Sequence, residues 1–391
     1  MYSLGIDIGG TSIKACLYRM GEPGGGLEAV AEPLRQATPS DGSYRSMLDL
    51  LHRIIDHHRE LIPSEQRNSG MQIGLGTPGL VDSRGYLRGD AVNIPGWTGV
   101  QLKDELSEYA GVEVQVANDV NMAAYAEWRL GAGTGSDSMV FISLGTGIGS
   151  GIITRGGPVA GHTGMAGEIG HLVVEPGGRQ CKCGLKGCLE RYSSASGIAL
   201  TAQELAETGG PELDGPLRSL IQGNRIQRSR ILGNPIPEQR AVSDVAPPSV
   251  APATVDFRDV PPGASSTAQP RTQRPAGPDN PADAQGVYEA LEQGDPLARA
   301  VHASSSRRLA QAAAAVAHML NPRLIVLGGG VLAAGDVIVQ GVKEHLHEFV
   351  MPMALDDLEI RRTVLGPDAG MLGAAAMAAD FAGEGYSLSS S

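Results

Sequence analysis

The sequence predicts a two-lobed α/β protein, because one local design occurs twice in a chain of 391 residues, long enough for two hydrophobic cores. The design is a strand, a glycine turn and a returning strand. In the first half, Tyr2 to Ile8 enters a tight Gly9-Gly10-Thr11-Ser12 turn and Ile13 to Tyr18 returns. In the second half, Met139 to Leu144 enters Gly145-Thr146-Gly147 and Ile148 to Ile153 leaves it. Paired hairpins of this kind suggest duplicated lobes, each offering backbone amides at its turn to a phosphate chain lying between them.

The remaining elements follow in order. Periodicity and stop signals predict a helix near residues 43 to 60, a strand at 71 to 76, a helix at 100 to 109 and a strand at 113 to 117. Another helix begins at about Val120. An Ala-rich helix runs to about Leu320, where Asn321-Pro322 stops it, and Leu324-Ile325-Val326-Leu327 reads as a buried strand. Cys16 alternates into the second strand and is expected in the core. From about residue 209 to 285 the character changes. Eleven of the 25 prolines fall between Pro235 and Pro281, among Ser, Ala, Thr and Gln, so this stretch is expected to be a disordered or loosely attached insertion. Arg225, Arg228 and Arg230 beside it are a small basic patch or simply a solvated face.

Composition excludes several classes. The net charge of −12 repels nucleic acid, and no apolar run approaches the length of a membrane span. Met1-Tyr2-Ser3 leads straight into a strand instead of a secretion signal, so a cytoplasmic protein with reduced thiols is expected. Three of the four cysteines, Cys181, Cys183 and Cys188, nevertheless lie within eight residues, shortly after His171. Three thiolates and an imidazole suit a closed, tetrahedral structural zinc site, with Gly184 and Gly187 letting the loop double back. Ordinary buried thiols, or a disulfide with one cysteine left over, are the alternatives. Glu168 and Glu190 flank the loop.

Phosphoryl transfer to an alcohol needs a positioned base and donors around the phosphates. Asp119 is the candidate base, since it ends a strand and opens a helix, where a side chain points into a cleft. With an ordinary pKa of ~3.9 it would be ionised at neutral pH. Taken alone, Asn118-Asp119 reads more readily as a helix N-cap.

The motifs Asp7-Ile8-Gly9-Gly10-Thr11, Gly76 to Asp82, Asn93-Ile94-Pro95-Gly96-Trp97, Asn118-Asp119-Val120-Asn121, Gly145 to Gly149, Gly164 to His171 with the cysteine loop through Glu190, and Gly328-Gly329-Gly330 occur in this order. Together they resemble the ROK family of bacterial sugar kinases and related repressors. The resemblance implies an actin-like, ribonuclease H-like ATPase fold with a cleft between the lobes. It implies a first lobe over 1–116, a second over 117–208 and 286–375 with the zinc loop at 171–190, the insertion at 209–285, and a C-terminal helix end and tail at 376–391. It implies an ATP- and Mg²⁺-dependent hexose kinase, glucose 6-phosphate being the first choice of product, assembled as a homodimer or homotetramer.

By the same resemblance Asp119 is the general base, and Asn118, Asp119, Glu168, His171 and Glu190 contact the sugar, with the backbone of Gly79 lining its pocket. His171 then serves twice, one ring nitrogen on zinc and the other toward the sugar. Glu168 and Glu190 read otherwise as surface carboxylates or partners of the zinc ligands. Asp7, Gly9, Gly10 and Thr11 meet Mg²⁺-bound water and the outer phosphates, Gly145, Thr146 and Gly147 form the second phosphate turn, and Gly328, Gly329 and Gly330 wall the adenosine. Lys14 adds charge there or is an exposed strand lysine. N-acetylmannosamine, N-acetylglucosamine and fructose kinases share these motifs. So does a sugar-sensing repressor, although that branch carries a DNA-binding domain ahead of the first hairpin, whereas here three residues precede the core of the first strand.

Overall fold

Strand β1 (Tyr2–Ile8) is covered on both faces, as befits a central strand: Leu4, Ile6 and Ile8 are fully buried on one, and Ser3 and Gly5 are buried on the other. It pairs antiparallel with β2 (Ser12–Met20), closing the first hairpin from Tyr2↔Arg19 to Ile8↔Ile13, and parallel with β5 (Met71–Thr77) on its other side. Beyond them β6 (Val114–Asn118) extends the sheet, while β3 (Leu27–Ala29) and β4 (Leu34–Ala37) both pair with β2. The computed structural model describes residues 1–21, 26–39, 41, 43–82, 84–88, 94, 96–223 and 283–382.

The second sheet repeats the plan. Its hairpin is β7 (Ser138–Leu144) with β8 (Ile148–Thr154), β9 (Gly157–Val159) pairs with β8, and β10 (Leu324–Gly328) and β11 (Glu359–Arg362) add in parallel beside β7. Among the described residues the strand orders β3-β2-β1-β5-β6 and β9-β8-β7-β10-β11 correspond strand for strand. The two hairpins predicted from the sequence are therefore the matching corners of a duplicated α/β unit.

Helices cover the sheets where the apolar spacing requires. Helix α1 (Tyr44–Glu60) buries Met47, Leu50, Leu51, Ile54 and Ile55 and is capped by the Ser43 hydroxyl; α2 (Leu102–Ala110) stops at Gly111, φ +70°. The long helix Pro296–Leu320 starts from an Asp295 cap with Pro296 at its first turn and ends on Asn321, φ +42°, where Asn321-Pro322 predicts. Cys16 is 1% exposed and part of the core, as expected.

Helix α3 (Asp119–Leu130) follows β6, and the C-terminal helix (Ala369–Asp380) follows β11, so the two occupy corresponding places in the two halves. They pack on each other between the sheets, and the approach is close enough that a Cβ on Gly373 would lie 1.7 Å from the Met122 carbonyl oxygen. Each also lies against the other half's sheet. Helix α3 contacts β8, whereas the C-terminal helix lies on β1 and β5, where a Cβ on Gly74 would stand 1.9 Å from the Ala374 oxygen. The expected boundary at 375 falls inside this helix, which from Ala369 onward covers the first sheet, where Gly5 and Gly74 leave room only for its backbone.

The edges of the expected insertion also need correction. Residues 211–213 form a 3₁₀ turn and residues 216–223 are helical, with Leu217 and Ile221 buried in the second lobe's core, and Asp283 caps the helix Ala284–Glu292. Apolar residues at i and i+4 suffice to hold this segment down. Residues 224–282, with Arg225, Arg228, Arg230 and the proline-rich run, lie outside the described residues, as do Asn93 and Pro95. Among the described residues no helix is long and apolar enough to cross a membrane.

Candidate active site

The two glycine turns are built by different means. At the first, the Gly9 N–H donates to the Ser12 carbonyl at 2.9 Å, and the Thr38 hydroxyl holds the Gly9 carbonyl at 2.7 Å. Gly10 and Thr11 lie at the tip of this turn, and Thr11 is exposed. At the second, the Gly145 N–H donates to the Gly147 carbonyl at 2.9 Å, and α5 (Ala195–Thr208) supports the turn from below. The Ala195 N–H reaches the Gly145 carbonyl at 2.9 Å and the Ser196 hydroxyl reaches that of Thr146 at 2.9 Å. Gly329, φ +87°, crosses Leu144 so closely that a Cβ would lie 2.5 Å from its carbonyl oxygen; Gly328 backs onto the Phe141 ring and Gly330 faces open space.

A cavity between the lobes is lined by Asp7, Asp119, Ser143, Gly329, Thr363 and Gly370 with their neighbours. Asp119 opens α3, and its carboxylate accepts from the Val120 N–H at 2.9 Å. The capping role belongs to Asn118, whose Oδ1 accepts from Val120 and Asn121 while its Nδ2 donates to the Gly79 carbonyl at 3.0 Å. Gly79 itself is held at φ +96°. Burial, and then the nearby charge of Asp7, push Asp119 up to about 7, well above the value expected of an ordinary aspartate. Asp7 is itself raised by burial, against the opposing pull of Lys14.

Lys14 is not an exposed strand lysine. Paired opposite Asp7 in the hairpin, it donates to the Pro367 carbonyl at 2.5 Å and stands 3.5 Å from Asp368, so it ties the first sheet to the head of the C-terminal helix.

The His171 region lies flat on β8. A Cβ on Gly170 would meet the Ile148 carbonyl oxygen at 2.2 Å and one on Gly167 would meet that of Ser150 at 3.0 Å, so only glycines let the loop settle there with Glu168 and His171 at its edge. The ligand atoms of His171, Cys181, Cys183 and Cys188 all lie within 4.8 Å of one another. His171 Nδ1 is 3.7 Å from Cys181 Sγ, and the sulfurs of Cys183 and Cys188 are 3.6 Å apart. Bonds of about 2.3 Å in a tetrahedron give edges of about 3.7 Å, so this donor set fits a four-coordinate, thiolate-binding metal. All four cysteines are free thiols, which removes the disulfide alternative. Gly184 and Gly187 take positive φ, +94° and +86°, as the doubling back of the loop requires.

His171 Nε2 points the other way, 3.9 Å from Glu168, whose carboxyl is raised by burial, then lowered by His171 and raised by Glu190. Glu190 opens α4 (Glu190–Ser193) and is not a surface carboxylate. One oxygen lies 3.9 Å from the Cys181 sulfur, and the other accepts from the Ile148 N–H at 3.3 Å, directly over Gly147. The metal loop and the second glycine turn are thus bonded through one side chain. Next along β8, Gly149 packs on Val120, the neighbour of Asp119.

Sequence reasoning missed Glu127, Thr363 and the 366–370 segment. Glu127 carries a usable signal, a carboxylate within the otherwise apolar run Ala123 to Trp128, whereas Thr363 to Gly370 matches no motif and joins the site only through folding.

Comparison with known proteins agrees with this geometry. A glucokinase of Thermotoga maritima is 29% identical over 374 residues, covering 96% of each chain. One of Halalkalibacterium halodurans is 32% identical over 373 residues, covering 95% of this chain and 92% of the relative. The crystal structure of a ROK family glucokinase from Streptomyces griseus in complex with glucose and AMPPNP superposes with a TM-score of 0.65 at 26% identity, over 97% of this chain and all of that one. The duplicated sheets with helices exchanged between them are those of the actin-like ATPase fold. The sequence pattern of the ROK family matches residues 3–234 and 264–381, the internal gap falling inside the proline-rich segment, and the chain belongs to the ROK family.

Proposed function

We propose that this chain is an ATP-dependent hexose kinase, with glucose as the sugar and the 6-hydroxyl as the acceptor. The carrying observation is Asp119, a carboxylate of raised basicity facing the interlobe cavity beside Asp7. Deprotonated, it takes the hydroxyl proton as the sugar oxygen bonds to the γ-phosphorus and the bond to ADP breaks. A base with a pKa near the working pH matches that task better than an ordinary aspartate. The amides of both glycine turns hold the phosphates, Gly328 to Gly330 line the adenosine side, and Lys14 acts by fixing the segment at Pro367. The paired carboxylates Asp7 and Asp119 suit a divalent cation, with Asp7 as the holder of Mg²⁺ through water, where the ion screens phosphate charge.

In this reading Glu168, His171 Nε2, Glu190, Asn118 and the Gly79 backbone hold the sugar. Asn118 has one amide hydrogen left for that purpose, since its oxygen caps α3 and its other amide hydrogen goes to the Gly79 carbonyl. His171, Cys181, Cys183 and Cys188 hold a structural Zn²⁺, which orders the loop between His171 and Glu190.

The decisive experiment is sugar-dependent ADP release from the purified chain against glucose, fructose, N-acetylglucosamine and N-acetylmannosamine. Glucose is expected to give the highest kcat/KM. Release with none of them would sink the kinase reading, and preference for an N-acetylhexosamine would replace glucose within it. With the best sugar, kcat/KM is expected to rise with pH along an acid limb above the ordinary aspartate range, because Asp119 must be deprotonated and its pKa is raised. A rate flat from pH 5 to 9 would show that no such base limits the reaction.

The insertion is proposed to be dispensable. Replacing residues 224–282 with a Gly/Ser bridge that spans the junction is expected to leave kcat and both KM values within a few-fold, since closure entropy depends weakly on loop length. The cut must spare Leu217 and Ile221, which belong to the core. Loss of activity in a folded deletion variant would place part of the segment in the cleft.

A further inference from the structure

Among the described residues the chain passes between the lobes at two places. One is the junction of β6 and α3, at Asn118-Asp119, and the other is the strap from Thr363 to Asp368 that joins β11 to the C-terminal helix. One buried carboxylate connects them. Glu127, on the third turn of α3 and 0% exposed, accepts at Oε1 from the Thr363 hydroxyl, from the Val364 N–H at 3.1 Å and from the Leu365 N–H at 2.9 Å. Its Oε2 accepts from the Ala132 N–H at 2.9 Å, and the carbonyl of Ala132 accepts from Arg361 of β11 at 2.9 Å. Among the described residues the hydrogen bonds to this fully buried carboxyl group come from neutral donors, most of them on the strap.

The strap's further contacts show what this arrangement controls. Thr363, Gly366, Pro367, Ala369 and Gly370 line the cavity with Asp119 and Asp7. The Pro367 carbonyl holds Lys14, opposite Asp7 in the first hairpin, and a Cβ on Gly370 would lie 3.0 Å from the Asp7 carboxyl. Glu127 therefore fixes, relative to the helix that begins with Asp119, the segment that carries Asp7's neighbours.

We propose that Glu127 is a positioning residue for phosphoryl transfer: it clamps the second interlobe crossing onto α3, so that Asp7 and Asp119 face one cavity in fixed register and the two crossings move as a unit. The proposal rests on the hexose kinase reading above. It touches neither substrate, and misplacing reacting groups by about an ångström is enough to cost on the order of 10²-fold in rate.

The test compares Glu127→Ala and Glu127→Gln with wild type by Tm, by hydrogen exchange at the Val364 and Leu365 amides, and by kcat, sugar KM and ATP KM. Glu127→Ala is expected to lose protection at those two amides and to lose kcat by roughly 10- to 100-fold, with sugar KM changed less than kcat. Glu127→Gln retains one oxygen for the three strap donors and is expected to recover most of both. Wild-type kcat in an alanine variant that has lost the protection overturns the proposal, as does an equal loss of kcat in both variants with protection intact. If the alanine variant does not fold, Glu127→Asp, which withdraws the carboxylate by one methylene, takes its place: lowered kcat in folded protein supports the clamp and wild-type kcat overturns it. Amide protection is read without turnover, so a wild-type chain inactive on every hexose would fault the kinase reading and leave the clamp itself measurable.

Discussion

Asp119→Asn is expected to lower kcat by about 10²–10⁴-fold while the affinity for sugar stays within a few-fold. The amide retains an oxygen for the Val120 N–H, from which the Asp119 side chain accepts at 2.9 Å, but it cannot take a proton from a hydroxyl. Helix capping gives a competing explanation of the Asn-Asp pair, and the geometry separates the two. Asn118 supplies the cap, so Asn118→Ala is the substitution expected to cost about 1 kcal/mol of stability, and Asp119→Asn is expected to leave Tm nearly unchanged. Equilibrium binding of glucose to the variant, beside steady-state turnover, checks both halves. Wild-type turnover at saturating sugar would leave Asp119 a helix-terminal carboxylate with no part in proton transfer. Loss of binding together with turnover would make it a sugar ligand only.

The elements were legible wherever one short-range force decides them. Alternating apolar residues on either side of a glycine turn specify a hairpin locally, and both appear with the expected strands. Asn321-Pro322 ends a helix by backbone sterics alone, and Leu324 to Leu327 can only be a buried strand. That His171, Cys181, Cys183 and Cys188 come together was legible for the same reason, since they and two turn glycines lie in one short segment. Relations between distant segments were not. That the C-terminal helix crosses to the first sheet depends on Gly5 and Gly74 lying in register on two neighbouring strands, a pattern with no sequence period. Whether Lys14 adds charge at the first turn or is an exposed strand lysine stays open in the sequence, because Pro367 and Asp368 arrive from more than 350 residues away. The raised basicity of Asp119 follows from burial and from Asp7, neither of which its own neighbours in sequence reveal. Leu217 and Ile221 show the opposite error: a composition change suggested the boundary at 209, but two apolar residues one helical turn apart keep the chain in the core as far as 223.

Cys188→Ser is expected to reduce zinc from one ion per chain to substoichiometric levels and to raise the sugar KM by roughly 10- to 100-fold, although no cysteine touches the sugar. Cys188 is fully buried, and its loss leaves three ligands on a loop that the metal would otherwise close between His171 and Glu190. Separate hairpins for the two phosphate turns would confine the effect to the sugar. Glu190 breaks that separation, because the same carboxylate that lies 3.9 Å from Cys181 also accepts from the Ile148 N–H over Gly147. The ATP KM is therefore expected to rise as well, by a smaller factor, through a second turn that has lost one of its supports while Ala195 and Ser196 still hold the rest. Glu190→Gln, which keeps an oxygen for Ile148, is expected to spare the ATP KM while still raising that for sugar. Metal analysis, Tm with and without a chelator, and the two Michaelis constants decide the matter together. Full activity without zinc would end the structural-metal reading. Equal increases in both constants with a sharply lowered Tm would mean that the variant loosens the whole second lobe, and an unchanged ATP KM in Cys188→Ser would show that the Glu190 bond to Ile148 carries nothing from the loop to the turn.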